Sequence, residues 1–239
     1  MRQGLPAALM ILSAAISICG QDRSQTKHNP RPSQQAASPA VPAITGENSD
    51  PVKYTYEFSQ PKFYIKHIVI EHDANGRGTV TFERLNEDGS VSEPLELSPA
   101  VLSRLTASWQ ALQFLDSTAD YQADKQFPHL GTMRIGMQRG DRKRVAEFNW
   151  TNNADANTLV SEYRKAADQA ILIFDISIAR QNQPLNAPKL MEAMESLINR
   201  NALSDPKQLL PLLNELSTDE RVPLIARNHA LRLIKKIQK

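Results

Sequence analysis

Apolar and polar residues alternate strictly at the start of the folded region, with Val52, Tyr54, Tyr56 and Phe58 set against Lys53, Thr55, Glu57 and Ser59. A side-chain period of two predicts a strand with one apolar and one wet face. Residues 63–72 predict its neighbour, and Asn75-Gly76 predicts the turn that follows, because both residues accept positive φ. Val80 and Phe82 continue the pattern, Asp88-Gly89 turns the chain again, and residues 91–97 predict a further strand. Ser98-Pro99 supplies a helix N-cap and a proline at the first helical position. The helix then places Leu102, Leu105, Trp109 and Leu112 on one stripe.

After a loop at 116–130 the strand period returns. Met133, Ile135 and Met137 alternate with Arg134 and Gln138, Gly140-Asp141 forms the tip, and Ala146, Phe148 and Trp150 run back. Asn153 or Asp155 then caps a long helix with Leu159, Tyr163, Ala167, Ala170, Ile171, Phe174 and Ile178 on one side. Strands, helix, strands, helix over 52–182 predict an α+β domain: an antiparallel sheet with helices on one face.

Beyond that point the period is helical only, so 187–239 is predicted to be an all-helical segment. Leu190, Met194, Leu197 and Ile198 form one stripe. Asp205-Pro206 starts a second helix bearing Leu209, Leu210, Leu212, Leu213 and Leu216. A third begins near Arg221-Val222-Pro223 and runs through Ile225, Ala226, Ala230, Leu231, Ile234 and Ile237.

The start of the chain carries an address. Met1-Arg2 precedes an apolar run at 5–18 that ends at Cys19, the only cysteine. A membrane span needs about 20 apolar residues, so this shorter run after a positive start predicts a signal peptide at 1–18 and an exported protein. Residues 19–51 are rich in Gln, Ser, Asn and Ala and are interrupted by Pro30, Pro32, Pro39 and Pro42. Such a stretch buries too little apolar surface to offset its ordering entropy and is predicted to be a disordered tether. One cysteine allows no internal disulfide, so the fold rests on its core.

Charge narrows the partners. The chain carries +2 overall, with 15 basic and 17 acidic residues over 52–180, and 9 basic and 6 acidic over 187–239. Neither part has the dense basic field of a nucleic-acid binder.

Three resemblances add to this. Ile16-Ser17-Ile18-Cys19 resembles a bacterial lipobox, which implies a diacylglycerol on Cys19 and attachment to a membrane. Gly20 rather than Asp after the cysteine points, by similarity to lipoprotein sorting rules, to the outer membrane; ordinary cleavage nearby would instead leave a periplasmic protein. Leu209-Leu210-Pro211-Leu212-Leu213, Asp219, Pro223, Ala226-Arg227, Ala230-Leu231 and Ile234 resemble one HEAT-type helical hairpin, a unit that normally stacks in arrays. Phe148-Asn149-Trp150-Thr151, Gln183-Pro184-Leu185 and Pro223-Leu224-Ile225-Ala226-Arg227-Asn228 resemble exported bacterial envelope proteins to which no activity is attached.

Candidate chemistry is thin. Asp73-Ala74-Asn75-Gly76-Arg77-Gly78 starts like a calcium loop, but the fifth and twelfth positions of such a loop are Arg77 and Arg84, so a hairpin turn is expected. His67 and His72, beside Glu71 and Asp73, are an odd number apart and should diverge to opposite faces. His129 and His229 have no partner at ligand spacing. No Gly-x-Ser-x-Gly elbow is present, and Cys19 lies in the export segment. Arg139-Gly140-Asp141, then Arg142, Lys143 and Arg144, read as a hairpin tip beside a charged edge strand. Arg221, Arg227, Arg232, Lys235, Lys236 and Lys239 could meet an anionic surface, though the macrodipole also favours cations at a helix C-terminus. Asn149-Trp150-Thr151 is a formal glycosylation sequon.

The expectation is therefore a lipid-anchored envelope protein of the periplasm or outer membrane, with Cys19 as its single site residue and no cofactor, metal or catalytic group. Its work would be non-catalytic binding of an envelope protein or anionic surface, through the open face of the sheet or the groove between the two parts. A hydrolase acting on a wall or glycan substrate and a structural envelope component are the alternatives. Ligand and oligomeric state carry no signature.

Overall fold

The computed structural model describes residues 50–239; the predicted signal peptide at 1–18, Cys19 and nearly all of the 19–51 tether lie outside the described residues. The described chain is α+β. Its strands are β1 (Val52–Ser59), β2 (Ile65–Asp73), β3 (Arg77–Arg84), β4 (Val91–Glu96), β5 (Thr132–Arg139) and β6 (Arg142–Phe148). They form one antiparallel sheet in the order β4-β3-β2-β1-β5-β6.

The first strand lies inside the sheet because the β1–β2 hairpin leaves its other edge unpaired, and β5 fills that edge. Tyr56 faces Ile70 on one side and Ile135 on the other. The two predicted strand groups are thus halves of a single sheet. Pro94 falls in β4, an edge strand, where a missing N–H costs no ladder bond. The β2–β3 turn is closed by Asp73, whose Oδ1 accepts from the backbone N–H of Asn75 (2.8 Å) and Arg77 (2.9 Å). Calcium-like residues at 73–78 therefore make a hairpin.

Helices α1 (Pro99–Ala111) and α2 (Ala154–Asn182) cover one face of the sheet. Ser98 caps α1 through a bond from Val101 N, and Asn153 caps α2 through one from Ala156 N. Tyr54, Tyr56, Phe58, Ile68, Ile70, Val80, Phe82 and Ile135 point into this core, together with Leu105, Trp109, Leu159 and Tyr163 from the helices. Each large apolar side chain buried there contributes about 1.5–3 kcal/mol.

At 29 residues, α2 outlasts the sheet. Its last turns supply Leu172 and Ile176 to a second core built with α3 (Ala187–Asn199), α4 (Leu210–Thr218) and α5 (Leu224–Ile237). Polar side chains latch the helical end to the sheet end. Arg104 of α1 donates to Glu162 (2.8 Å) and to the Ser204 carbonyl (2.9 Å). Gln169 of α2 accepts from Ser204 Oγ (3.2 Å) and Asp205 N (3.0 Å) and donates to Gln208 (3.0 Å).

Three expectations shift. Strand β6 ends at Phe148, so Trp150 leaves the sheet and lies half-exposed. Phe63 and Tyr64 precede β2 and are exposed rather than in the core. The stripe of α5 is narrower than predicted: Ala226, Ala230, Leu233 and Ile234 bury, while Ile225 and Leu231 face outward. A helix at the end of a bundle has neighbours on one side only, so only one stripe finds cover.

Candidate functional site

The histidines show where chemistry is not assembled. His67 lies on the uncovered face of the sheet between Glu57 (3.0 Å) and Glu83 (3.3 Å), inside a row of charges that continues through Arg134 to Glu147 (2.8 Å). His72 points the opposite way, into the core, as the strand period requires. Its Nε2 meets the Tyr163 hydroxyl at 2.8 Å and its Nδ1 meets the Asp73 carbonyl at 2.7 Å. His229 pairs with Glu195 (2.9 Å), a partner outside its own helix. His129 is exposed in a 3-10 turn at Pro128–Leu130. Among the described residues no group of three or more His, Cys, Asp or Glu side chains could hold a metal ion.

The basic tip is likewise in use. Arg142 pairs with Asp116 (2.5 Å), and Arg144 donates to the carbonyls of Phe114 (2.7 Å) and Ala119 (2.6 Å) beneath the Phe114 and Tyr121 rings. Both clamp the 112–121 loop to β6. In the C-terminal helix, Lys236 pairs with Glu195, and ahead of it Arg221 pairs with Asp219. Among the described residues no helix is long and apolar enough to cross a membrane.

One region is different. A groove of about 760 Å³ opens between the β1–β5 end of the sheet and the first half of α2. That size lies within the range of about 300–1,000 Å³ usual for ligand clefts. Its floor is Tyr56, Phe58, Ile68, Met133 and Phe148. Its rim carries Phe63 (44% exposed), Tyr64 (60%), Leu130 (37%) and Trp150 (44%). Four large apolar side chains around one opening make a coherent patch, where scattered exposure would carry no message.

The walls are fixed by local bonds. The buried Gln60 amide donates to the carbonyls of Pro128 (3.0 Å) and His129 (2.9 Å), tying the 60–65 loop to the 3-10 turn. Gly131 closes that turn at φ +94, with Phe58 so near that an added Cβ would stand 2.6 Å from its ring. Asn149 accepts from Phe127 N (2.9 Å) and Gln122 (3.3 Å) through its side-chain oxygen, and the Phe127 ring packs edge-on against Trp150 at 5.2 Å. The sequon asparagine is thus a structural pin, and the Phe148-Asn149-Trp150-Thr151 run lines the groove.

Helix α2 presents Asn157, Val160, Ser161, Arg164 and Asp168 on the face that closes the cleft. Arg164 lies over the Phe58 ring (5.5 Å) with Met133 Sδ 3.8 Å from its Nη2, and no carboxylate among the described residues is within ion-pair distance. Beside it, the Tyr56 hydroxyl is fully buried and has no hydrogen-bond partner. Burial pushes the Tyr56 phenol above its ordinary range, while nearby Arg164 opposes the shift. Burial also pushes the Asp168 carboxyl upward, against the pull of Arg164 and Arg200.

None of Tyr56, Arg164 or Asp168 stands out in the sequence, and Trp150 is marked there only as part of the Phe148-Asn149-Trp150-Thr151 run. Tyr56 reads as core by alternation, Arg164 as a solvated helix position, and Trp150 as a strand residue. No protein-family model matches the chain, and comparison with curated proteins returns no match.

Proposed function

We propose that the protein is an exported, lipid-anchored envelope protein that binds a ligand non-catalytically in the groove between the sheet and α2. The observation that carries the binding reading is a cleft of about 760 Å³ rimmed by exposed Phe63, Tyr64, Leu130 and Trp150. A contiguous exposed apolar rim costs solubility and is typical of ligand grooves and interaction sites, so it favours an occupant. The export and anchoring reading rests on residues 1–19 alone, through the apolar run and the lipobox-like Cys19. The HEAT-like hairpin in 206–239 would then be a packing unit at the far end of the molecule.

A hydrolase is the second reading, favoured by Asp168, whose carboxyl is biased toward its protonated form inside the groove. The lining includes that single carboxylate, whereas most glycoside hydrolases need two across the scissile bond.

Titration of the full chain with the neutral dye Nile red tests the groove. Saturable binding, weakened by Trp150→Ala and by Phe63→Ser, supports it; unaltered binding in both variants overturns it. Hydrolysis of a wall fragment that Asp168→Asn abolishes would replace binding with catalysis. For the anchor, membrane fractionation and intact mass of wild type and Cys19→Ala decide: loss of both the acyl mass and the membrane fraction in the variant is expected.

A further inference from the structure

We infer that the outward face of α5 is a membrane-surface contact: the helix lies flat on an anionic lipid bilayer, with Leu224, Ile225 and Leu231 turned into the headgroup layer and Arg232, Lys235 and Lys239 set against lipid phosphates. This rests on the reading of the protein as one held at a membrane and names the face that meets it; it shares no residue with the groove.

Two independent features coincide on this helix. The first is exposed apolar surface. Leu224 (62% exposed), Ile225 (67%) and Leu231 (46%) stand out from α5, while Ala226, Ala230, Leu233 and Ile234 on its other side pack into the helical core. Leu224, Asn228, Leu231 and Lys235 follow one another about a turn apart, so they form one outward stripe, with Ile225 and Arg232 beside it. The second feature is uncompensated charge. Residues 223–239 carry Arg227, Arg232, Lys235, Lys236 and Lys239 and no Asp or Glu. Glu195 of α3 is taken by His229 and Lys236, and Asp219 by Arg180 and Arg221. Arg232, Lys235 and Lys239 are exposed and make no ion pair among the described residues, and the exposed Glu220 ahead of the helix is outnumbered by them.

The macrodipole accounts for cations in the last turn, yet Arg232 stands before that turn, and a dipole asks for no exposed leucine. A protein partner fits this face less well. Interface cores are rich in aromatic residues and poor in lysine, whereas this stripe carries lysine and no aromatic ring. Leucine and isoleucine interleaved with long cationic side chains suit the headgroup layer of an anionic bilayer: the apolar groups enter it, and the flexible stems let each charge reach a phosphate. At 14 residues α5 is about 21 Å long, short of the roughly 30 Å hydrocarbon core, so it lies on the surface and does not cross.

A polarity-sensitive label on the helix tests this. The full chain carrying Cys19→Ala and Asn228→Cys takes acrylodan at one thiol in the middle of the stripe, and Asp88→Cys in the same background labels the exposed turn between β3 and β4. Vesicles of phosphatidylglycerol and phosphatidylcholine in equal parts should shift the 228 label to the blue, phosphatidylcholine alone should not, and the 88 label should respond to neither. Lipid titration of the 228 label then gives the affinity of the face itself, whatever residues 1–18 do. Arg232→Gln with Lys235→Gln should weaken it about 25-fold, fivefold for each cation, and added salt should weaken the unsubstituted helix in the same direction. Leu224→Gln with Leu231→Gln should weaken it about tenfold. All four side chains are exposed, so the urea midpoint should hold in both pairs.

No shift at 228, an equal shift on neutral vesicles, or a shift at 88 as large as that at 228 overturns the contact. An affinity that either paired substitution leaves intact overturns it too, since the face would then lack its charge attraction or its apolar insertion. A shift without lipid that grows with protein concentration would give the face to a second copy, and an equal shift with polyglutamate would give it to an acidic protein; both overturn the membrane reading of this helix. Failure here leaves the groove and the Cys19 anchor standing, because Nile red and fractionation read them separately and none of these helix substitutions touches the groove lining.

Discussion

Two tyrosines stacked in one core make a sharp pair of tests. The Tyr56 and Tyr163 rings lie 5.2 Å apart and nearly parallel, at 7°, and both are fully buried. Their hydroxyls differ. That of Tyr163 accepts from Trp109 Nε1 (3.0 Å) and meets His72 Nε2 (2.8 Å), while that of Tyr56 has no partner. The His72 Nδ1–H donates to the Asp73 carbonyl, so Nε2 accepts and Tyr163 donates to it. Trp109 and His72 are themselves buried, so Tyr163→Phe strands an indole N–H and an imidazole nitrogen out of reach of water.

Each stranded group costs about 1–3 kcal/mol, and the two share one cavity, so the loss should be about 2–4 kcal/mol. That is a large part of a domain stability of about 5–15 kcal/mol. Tyr56→Phe removes the same atom from a neighbouring ring and should be neutral or slightly stabilising, because it deletes an unpaired polar group. Urea unfolding followed by far-ultraviolet circular dichroism gives both values. Equal losses in the two variants, or a loss below about 1 kcal/mol for Tyr163→Phe, would refute the hydrogen-bond reasoning and leave only ring packing.

Other consequences can be measured on the same footing. Burial lowers the His72 pKa below its ordinary value of 6.5, so the unfolded chain binds the extra proton first. Stability should hold above that value and fall as pH drops through it; urea midpoints between about pH 8 and pH 5 should show a slope that His72→Gln removes. Gly131→Ala places a Cβ against Phe58 at φ +94 and should cost about 1–3 kcal/mol, read as a lowered Tm. Gln169→Leu leaves Asp205 N and Ser204 Oγ without their acceptor and should cost about 1–3 kcal/mol, with faster amide exchange confined to 203–209 if the latch is local. The Arg84 guanidinium lies among the Tyr64, Phe82 and Phe174 rings and pairs with half-exposed Asp175. Asp175→Ala alone should lose about 1–2 kcal/mol, whereas Arg84→Met with Asp175→Leu should come out near neutral in a double-mutant cycle.

The legible parts of the fold are those set by neighbours in the chain. Gly76 states its turn because its positive φ is a local demand, and Ser98 and Asn153 state their helix starts because a cap reaches only three residues. Alternation in 52–58 and 133–137 states the strands and which side of each is apolar. It does not state that β5 lies beside β1, since Tyr56 and Ile135 meet only after the whole first meander and α1 have packed. The groove is of that second kind. Its members come from β1, the 60–64 loop, β2, the 3-10 turn, β5, the end of β6 and α2, and each reads as ordinary where it stands. Asn157, Ser161, Arg164 and Asp168 form a polar stripe that looks like any wet helix face until the sheet end closes against it.

The position of α2 explains what holds the wall of the groove in place. One helix supplies both the Asn157–Asp168 wall and, about one and two turns later, Leu172 and Ile176 of the helical core. Gln169 follows Asp168 directly and is bound to the 204–208 segment, while Glu162, inside the stretch that forms the wall, is held by Arg104 of α1 and Lys165. A sliding or tilting of the wall would therefore break bonds to α1 and to the C-terminal segment together. Packed cores resist such small displacements, so Arg164 is held beside the Tyr56 hydroxyl by contacts that neither residue makes. Under the proposed binding role, preorganisation of this sort would reduce the ordering cost, and it would give the helical segment a part in the groove it never touches.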